Sequence, residues 1–138
     1  MLLEVCRFSV FLLALSATVN GRFSEEEKQL MNQVHAQCVT ETGTAEDIVN
    51  KATKGDFTED DNLKCYVKCI WSTLTVMDDE GDFDVGVLEV MLPADMKDIV
   101  MKAMSACTGA GAGLSPCEKA FAVTKCLYKE APADFFLP

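Results

Sequence analysis

Apolar residues recur every three to four positions along most of the chain and almost nowhere alternate with polar ones. That period places them on one side of an α-helix rather than one face of a strand. Leu30, Met31, Val34 and Cys38 form the first stripe, behind Ser24-Glu25-Glu26-Glu27. This run is a capping box, in which Ser and Glu satisfy each other's backbone N–H groups. A similar run, Thr44-Ala45-Glu46-Asp47, opens a short helix carrying Ile48, Val49 and Ala52, which Lys54-Gly55-Asp56 ends. Thr58-Glu59-Asp60-Asp61 is the expected cap of a third helix, carried by the pattern to about Met77 with Cys65, Tyr66, Cys69, Ile70, Thr73 and Leu74 inward. Val85, Leu88, Met91 and Leu92 make a short fourth helix ending near Pro93. Pro93 opens a fifth, with Met96, Ile99, Val100, Ala103, Met104 and Cys107 on its apolar face. Ser115-Pro116-Cys117-Glu118 reads as the cleanest start, with Ser as N-cap, Pro at the first helical position and Glu at the third. The sixth helix runs to about Glu130, where Pro132 stops it. The pattern predicts an all-α chain of six short helices with no internal repeat.

Two connections invite chemistry and fail on register. Asp78 to Asp84 reads DDEGDFD, but an EF-hand loop needs Gly at its sixth and Glu at its twelfth position. Counting from Gly81 puts Val76 first and Val87 twelfth, and neither can ligate calcium. Thr108 to Leu114 reads TGAGAGL; it lacks the Gly-Lys-Ser/Thr ending and the preceding strand of a phosphate loop. Both are turns.

Ahead of the helices, Arg7 precedes the uncharged run Phe8 to Val19. A bilayer span needs about 20 apolar residues, so this shorter run fits the core of a secretory signal peptide. The expected cut follows Gly21, with Ala17 as second choice; a buried helix or uncleaved anchor is the alternative. Cutting there takes 21 residues from 138 and leaves one domain, residues 22–138. It also removes Cys6, Glu4 and Arg7, so seven cysteines become six and the formal charge of −10 is unchanged. An acidic surface argues against nucleic acid as a partner, since phosphate binding needs a basic one. The cysteine density points outside the cytosol.

The six, Cys38, Cys65, Cys69, Cys107, Cys117 and Cys126, are separated by 26, 3, 37, 9 and 8 residues. Zinc sites pair close ligands twice; here there is one close pair and a single histidine, His35, so no metal is expected. Six cysteines can pair in 15 ways. Cys65 and Cys69 lie one helical turn apart on one face, and bridging them would pin almost nothing. Cys117 and Cys126 point to opposite sides of an intact helix and cannot bridge. Roughly ten pairings survive, and all of them tie separate helices together.

No catalytic or cofactor-binding group is expected. Every Ser-His-Asp or Cys-His arrangement has to run through His35, and its neighbour Cys38 is expected in a disulfide and so is not a thiolate. Two other features exceed what a plain bundle needs. The end of the chain, Phe135-Phe136-Leu137, is apolar, whereas a terminal segment is normally loose and polar unless docked. Met77, Met91, Met96, Met101 and Met104 gather in the third to fifth helices, and flexible thioethers suit an irregular cavity as well as an ordinary core.

With its signal peptide, acidic helical body and cysteine spacing, the chain resembles the insect odorant- and pheromone-binding proteins of the six-cysteine type. The resemblance covers essentially the whole mature chain. It extends to Leu63-Lys64-Cys65-Tyr66-Val67-Lys68-Cys69, Val76-Met77-Asp78-Asp79-Glu80-Gly81, Leu92-Pro93, Asp98-Ile99, Cys117-Glu118-Lys119-Ala120-Phe121 and Ala131-Pro132-Ala133-Asp134-Phe135-Phe136. It is closest to the antennal branch whose C-terminal tail folds over the pocket. The resemblance implies the pairs Cys38–Cys69, Cys65–Cys117 and Cys107–Cys126, around an internal apolar cavity for a small hydrophobic volatile. Its implied wall is Val85, Leu88 and Leu92, then Val100, Met101 and Met104, then Phe121, Thr124 and Leu127. Trp71 and Leu74 are added from the third helix, and Phe135 and Phe136 form the lid. Thr124 and the tail backbone are the expected polar contacts, with Thr73 weaker.

In the family, release is attributed to acidification that loosens the tail. With one histidine, the burden here falls on carboxylates: Asp134 and that of Pro138, with Lys125 or Arg22 as partners. The implied partners are the ligand and a membrane odorant receptor, and a homodimer is common among relatives. The competing readings are a secreted helical receptor-interacting protein without an internal ligand, and a non-sensory carrier of lipid or hormone-like molecules.

Overall fold

The computed structural model describes residues 19–138. The expected signal peptide, residues 1–21, therefore lies outside the described residues except for its last three positions, which enter a 3-10 turn, Val19–Arg22. Six helices follow: α1 (Glu25–Thr42), α2 (Glu46–Thr53), α3 (Asp61–Thr73), α4 (Val85–Met91), α5 (Ala94–Cys107) and α6 (Pro116–Glu130).

The helix starts follow local chemistry, with two departures. The Ser24–Glu27 capping box forms reciprocally. Thr44 does not cap α2: Ala45 takes that position with no side-chain bond, while Thr44 is buried with its hydroxyl unpartnered. At α3 the cap is Asp60, whose carboxylate accepts from Leu63 N at 2.8 Å. At α6, Ser115 makes no bond to the helix backbone and instead donates to Glu118 at 3.3 Å.

The end of α3 also departs from the expected Met77. The helix stops at Thr73, and Thr75 turns the chain with φ 60°. That left-handed conformation is costly for a β-branched residue. It carries Val76 and Met77 out of the helix and into the core, where Met77 pairs with Phe83 in an isolated antiparallel bridge. Gly81 closes the intervening acidic turn at φ 89°.

The disulfides are Cys38–Cys69, joining α1 to α3; Cys65–Cys117, joining α3 to α6; and Cys107–Cys126, joining α5 to α6. These are the pairs the family resemblance implies. They span 31, 52 and 19 residues, so each stabilises by about 3–4 kcal/mol through the unfolded chain.

Two apolar clusters result. One gathers Val34, Val49, Leu63, Tyr66 and Val67 from α1, α2 and α3. The other gathers Leu88, Leu92, Met104, Val123 and Leu127 from α4, α5, α6 and the segment beside them. Trp71, Leu74 and Phe83 pack against both. Among the described residues, no helix is long and apolar enough to cross a membrane.

Candidate ligand cavity

Between the two clusters lies a cavity of about 100 Å³. Trp71, Leu74 and Ile70 of α3 and its C-terminus form one wall, and Leu88, Met91 and Leu92 of α4 and the residue after it form another. Val100 and Ala103 come from α5, Thr124 and Leu127 from α6. The C-terminal segment closes the remaining side with Asp134 to Pro138, and Phe23, Leu30 and Met31 meet it from the start of the chain.

Of the residues expected to share one wall, Trp71, Leu74, Leu88, Leu92, Val100, Thr124, Leu127, Phe135 and Phe136 are brought together. Four are placed elsewhere. Val85, at the first position of α4, is 37% exposed and faces a shallow open cleft with Met77 and Phe83. Met101 sits about 100° around α5 from Val100 and only borders the second cluster. Met104 shares the Val100 face but lies one turn further on, fully buried in that cluster. Phe121 is buried in the first cluster, edge-to-face with Phe57, with the ammonium groups of Lys64 and Lys125 at 5.6 and 5.1 Å from its centroid.

The wall also includes Phe23, Met31, Val76 and Met91, which were not expected on it. For Met31 and Met91 the signal was present, in the α1 and α4 stripes. For Phe23 none was, because it precedes the helix and is buried only when the tail arrives.

Contacts from several elements hold the tail. Arg22 bridges Asp134 of the tail and Asp95 of α5, the latter at 3.3 Å. Phe136 stacks edge-on against Phe23 with centroids 4.7 Å apart. Phe135 packs in the same way on Tyr128, at 5.2 Å. The Tyr66 hydroxyl, at the end of a fully buried side chain, donates to the main-chain oxygen of Pro138. Burial, with the Glu46 carboxylate adding to it, pushes the Tyr66 phenol well above its ordinary value, so it stays a donor.

His35 completes this end. Its Nδ1 lies 2.7 Å from the Tyr66 hydroxyl and 3.2 Å from Pro138 O, and its Nε2 lies 3.0 Å from Glu46. Lys125, expected as a tail partner, instead joins Lys64 in holding Glu59. That pairing keeps the Glu59 carboxyl below the usual carboxylate range. Thr73, the weaker polar candidate, has its hydroxyl beside the Cys38–Cys69 sulfurs and is not on the cavity wall.

A sequence model described as the PBP/GOBP family matches residues 20–130. The chain belongs to this family, the insect odorant- and pheromone-binding proteins. It is 33% identical to the B1 protein of Tenebrio molitor over 115 residues, covering 82% of this chain and 86% of that protein. The B2 protein of the same beetle is 34% identical over 115 residues, with 82% and 88% covered. Among solved structures, the crystal structure of odorant binding protein 4 from the predator Chrysopa pallens superposes with a TM-score of 0.76 at 28% identity. That match covers 84% of this chain and 99% of the other. At the level of the family, the chain is a secreted, non-catalytic helical carrier of small hydrophobic ligands. Among the described residues, no cluster of three or more His, Cys, Asp or Glu side chains could hold a metal ion.

Proposed function

We propose that the mature chain, residues 22–138, carries a small volatile through an aqueous compartment to a membrane chemosensory receptor, and that its own tail governs retention. The observation that carries this reading is the apolar cavity covered on one side by Phe135 and Phe136 of the same chain. At about 100 Å³ the cavity is small beside ligand sites of about 300–1,000 Å³. A longer ligand therefore requires the wall to yield. Met31 and Met91, unbranched and half-buried, are the side chains suited to doing so.

Acid release works through the Arg22–Asp134 pair. Protonating Asp134 removes its charge, leaves Arg22 to Asp95 alone, and loosens the tail.

The test is affinity for a hydrophobic fluorescent probe at pH 7 and at about pH 4, the ordinary range of an aspartate, with and without residues 133–138. Full-length protein is expected to lose affinity at the lower pH and the truncated chain to bind weakly at both. Equal affinity in all four measurements would refute tail-governed release. Delivery is tested on receptor-expressing cells, which should respond to a lower dose of a bound volatile when the protein is present.

A further inference from the structure

We infer that the cavity selects ligands by whether they carry a hydrogen-bond donor, and that Thr124 sets this preference; the inference rests on the carrier reading above. Four polar side chains lie on the cavity wall: Glu27, Trp71, Thr124 and Asp134. Trp71 holds the only N–H among them, and its Nε1 donates to Thr124 Oγ1 at 2.9 Å. Thr124 in turn gives its proton to Ala120 O at 2.8 Å, back along its own helix. Both side-chain donors are therefore spent inside the wall. What the side chains have left is accepting capacity.

Thr124 is 1% exposed and accepts from Trp71 alone, so a hydroxyl oxygen with two lone pairs keeps one free. Asp134 is 8% exposed and uses Oδ1 on Arg22, which leaves Oδ2. Glu27 accepts from Ser24 N through Oε2, which leaves Oε1. A carboxylate can never donate.

A ligand ending in a hydroxyl supplies the proton these groups lack. A ketone or aldehyde of the same skeleton presents a second acceptor, and its oxygen finds no side-chain donor unless Thr124 gives up its bond to Ala120. The Thr124–Ala120 bond thus orients the hydroxyl as an acceptor, and the Trp71–Thr124 bond, reaching from α3 to α6, occupies one of its two accepting positions. Thr124 is a specificity residue.

The test measures displacement of a hydrophobic fluorescent probe by a primary alcohol and by the ketone of equal chain length, on wild type, Thr124→Val and Thr124→Ser. Comparing ratios cancels the different hydration of the two ligands. The alcohol-to-ketone affinity ratio is expected to fall about fivefold in Thr124→Val, the size of one net hydrogen bond, and to be kept in Thr124→Ser. An unchanged ratio in the valine variant, or an equal fall in the serine variant, overturns the assignment.

Should Thr124→Val not fold, Trp71→Phe replaces it. It frees a further accepting position on Thr124 and is expected to raise the ratio, and no change or a fall there also overturns the assignment. Wild-type protein that binds probe and ligands without the ratio responding loses this inference and keeps the carrier reading. Wild-type protein that binds none of them loses both.

Discussion

Replacing Phe136 by alanine removes the aromatic contact that seals the cavity between the two ends of the chain. The ring is half-buried, lies on the wall and meets Phe23, which is 5% exposed, at 4.7 Å and 65°. Full burial of a Phe stabilises by about 1.5–3 kcal/mol, and a ring that keeps an exposed edge contributes about half of that. The edge-to-face pair adds about 0.5–1.5 kcal/mol. Together these are about 2 kcal/mol in favour of the docked tail, or about 30-fold in its equilibrium. The helical body is held by its disulfides and its own two clusters, so this loss should not spread to it. Probe affinity is expected to fall at least about tenfold, whereas the urea midpoint of the body shifts little. A double-mutant cycle with Phe23→Ala isolates the pair, with an expected coupling of about 0.5–1.5 kcal/mol. Affinity within about threefold of wild type, together with coupling under about 0.3 kcal/mol, would refute the idea that this contact closes the cavity.

Three further substitutions probe the scaffold. Gly55→Ala places a Cβ 2.3 Å from the Tyr128 ring at φ 88°; it should destabilise by about 1–3 kcal/mol, read as a lower Tm. Thr75→Gly relieves an exposed β-branched residue at φ 60° and should stabilise by about 0.5–1 kcal/mol after the entropy of glycine is deducted; a drop in the denaturant midpoint would contradict the strain argument. Tyr66 is raised by burial and by Glu46, so the folded state keeps a proton that the unfolded chain loses near its ordinary value. Its stabilisation is therefore complete below about pH 10 and declines as pH rises beyond it. Alkaline unfolding curves should show this slope in wild type and a shallower one in Tyr66→Phe.

Much of the fold was legible because helix signals are local. A capping box, a Pro at a first helical position and a stripe at the helical period each depend on residues within a turn or two, which is why six helices could be predicted in order. Where a distant contact competes with the local signal, the local reading fails. Thr44 has the composition of a cap but is drawn into the core, and the apolar run ending in Met77 reads as helix until Thr75 breaks it. The cavity shows the same division. Ile70, Leu74 and Leu88 face it because helix packing follows the apolar stripe. Phe121, on the same helix as Leu127, lies about 120° around it, enough to send it to the opposite cluster.

By itself, the sequence determined the helical class, the helix order, the acidic character and the requirement that disulfides tie separate helices. It also marked the tail as a segment that had to dock, since three apolar residues at its end have no reason to face water. Only the tertiary structure decided where the tail docks: onto Phe23, Arg22 and Tyr66, residues 112 and 72 positions distant for the Arg22–Asp134 and Tyr66–Pro138 bonds. Nor could spacing reveal that Trp71 spends its donor on Thr124, since a hydrogen bond across 53 residues exists only once α3 and α6 have packed. Local pattern follows from backbone geometry, which each short stretch carries within itself. A cavity and its polarity follow from which surfaces meet, and that depends on the whole chain.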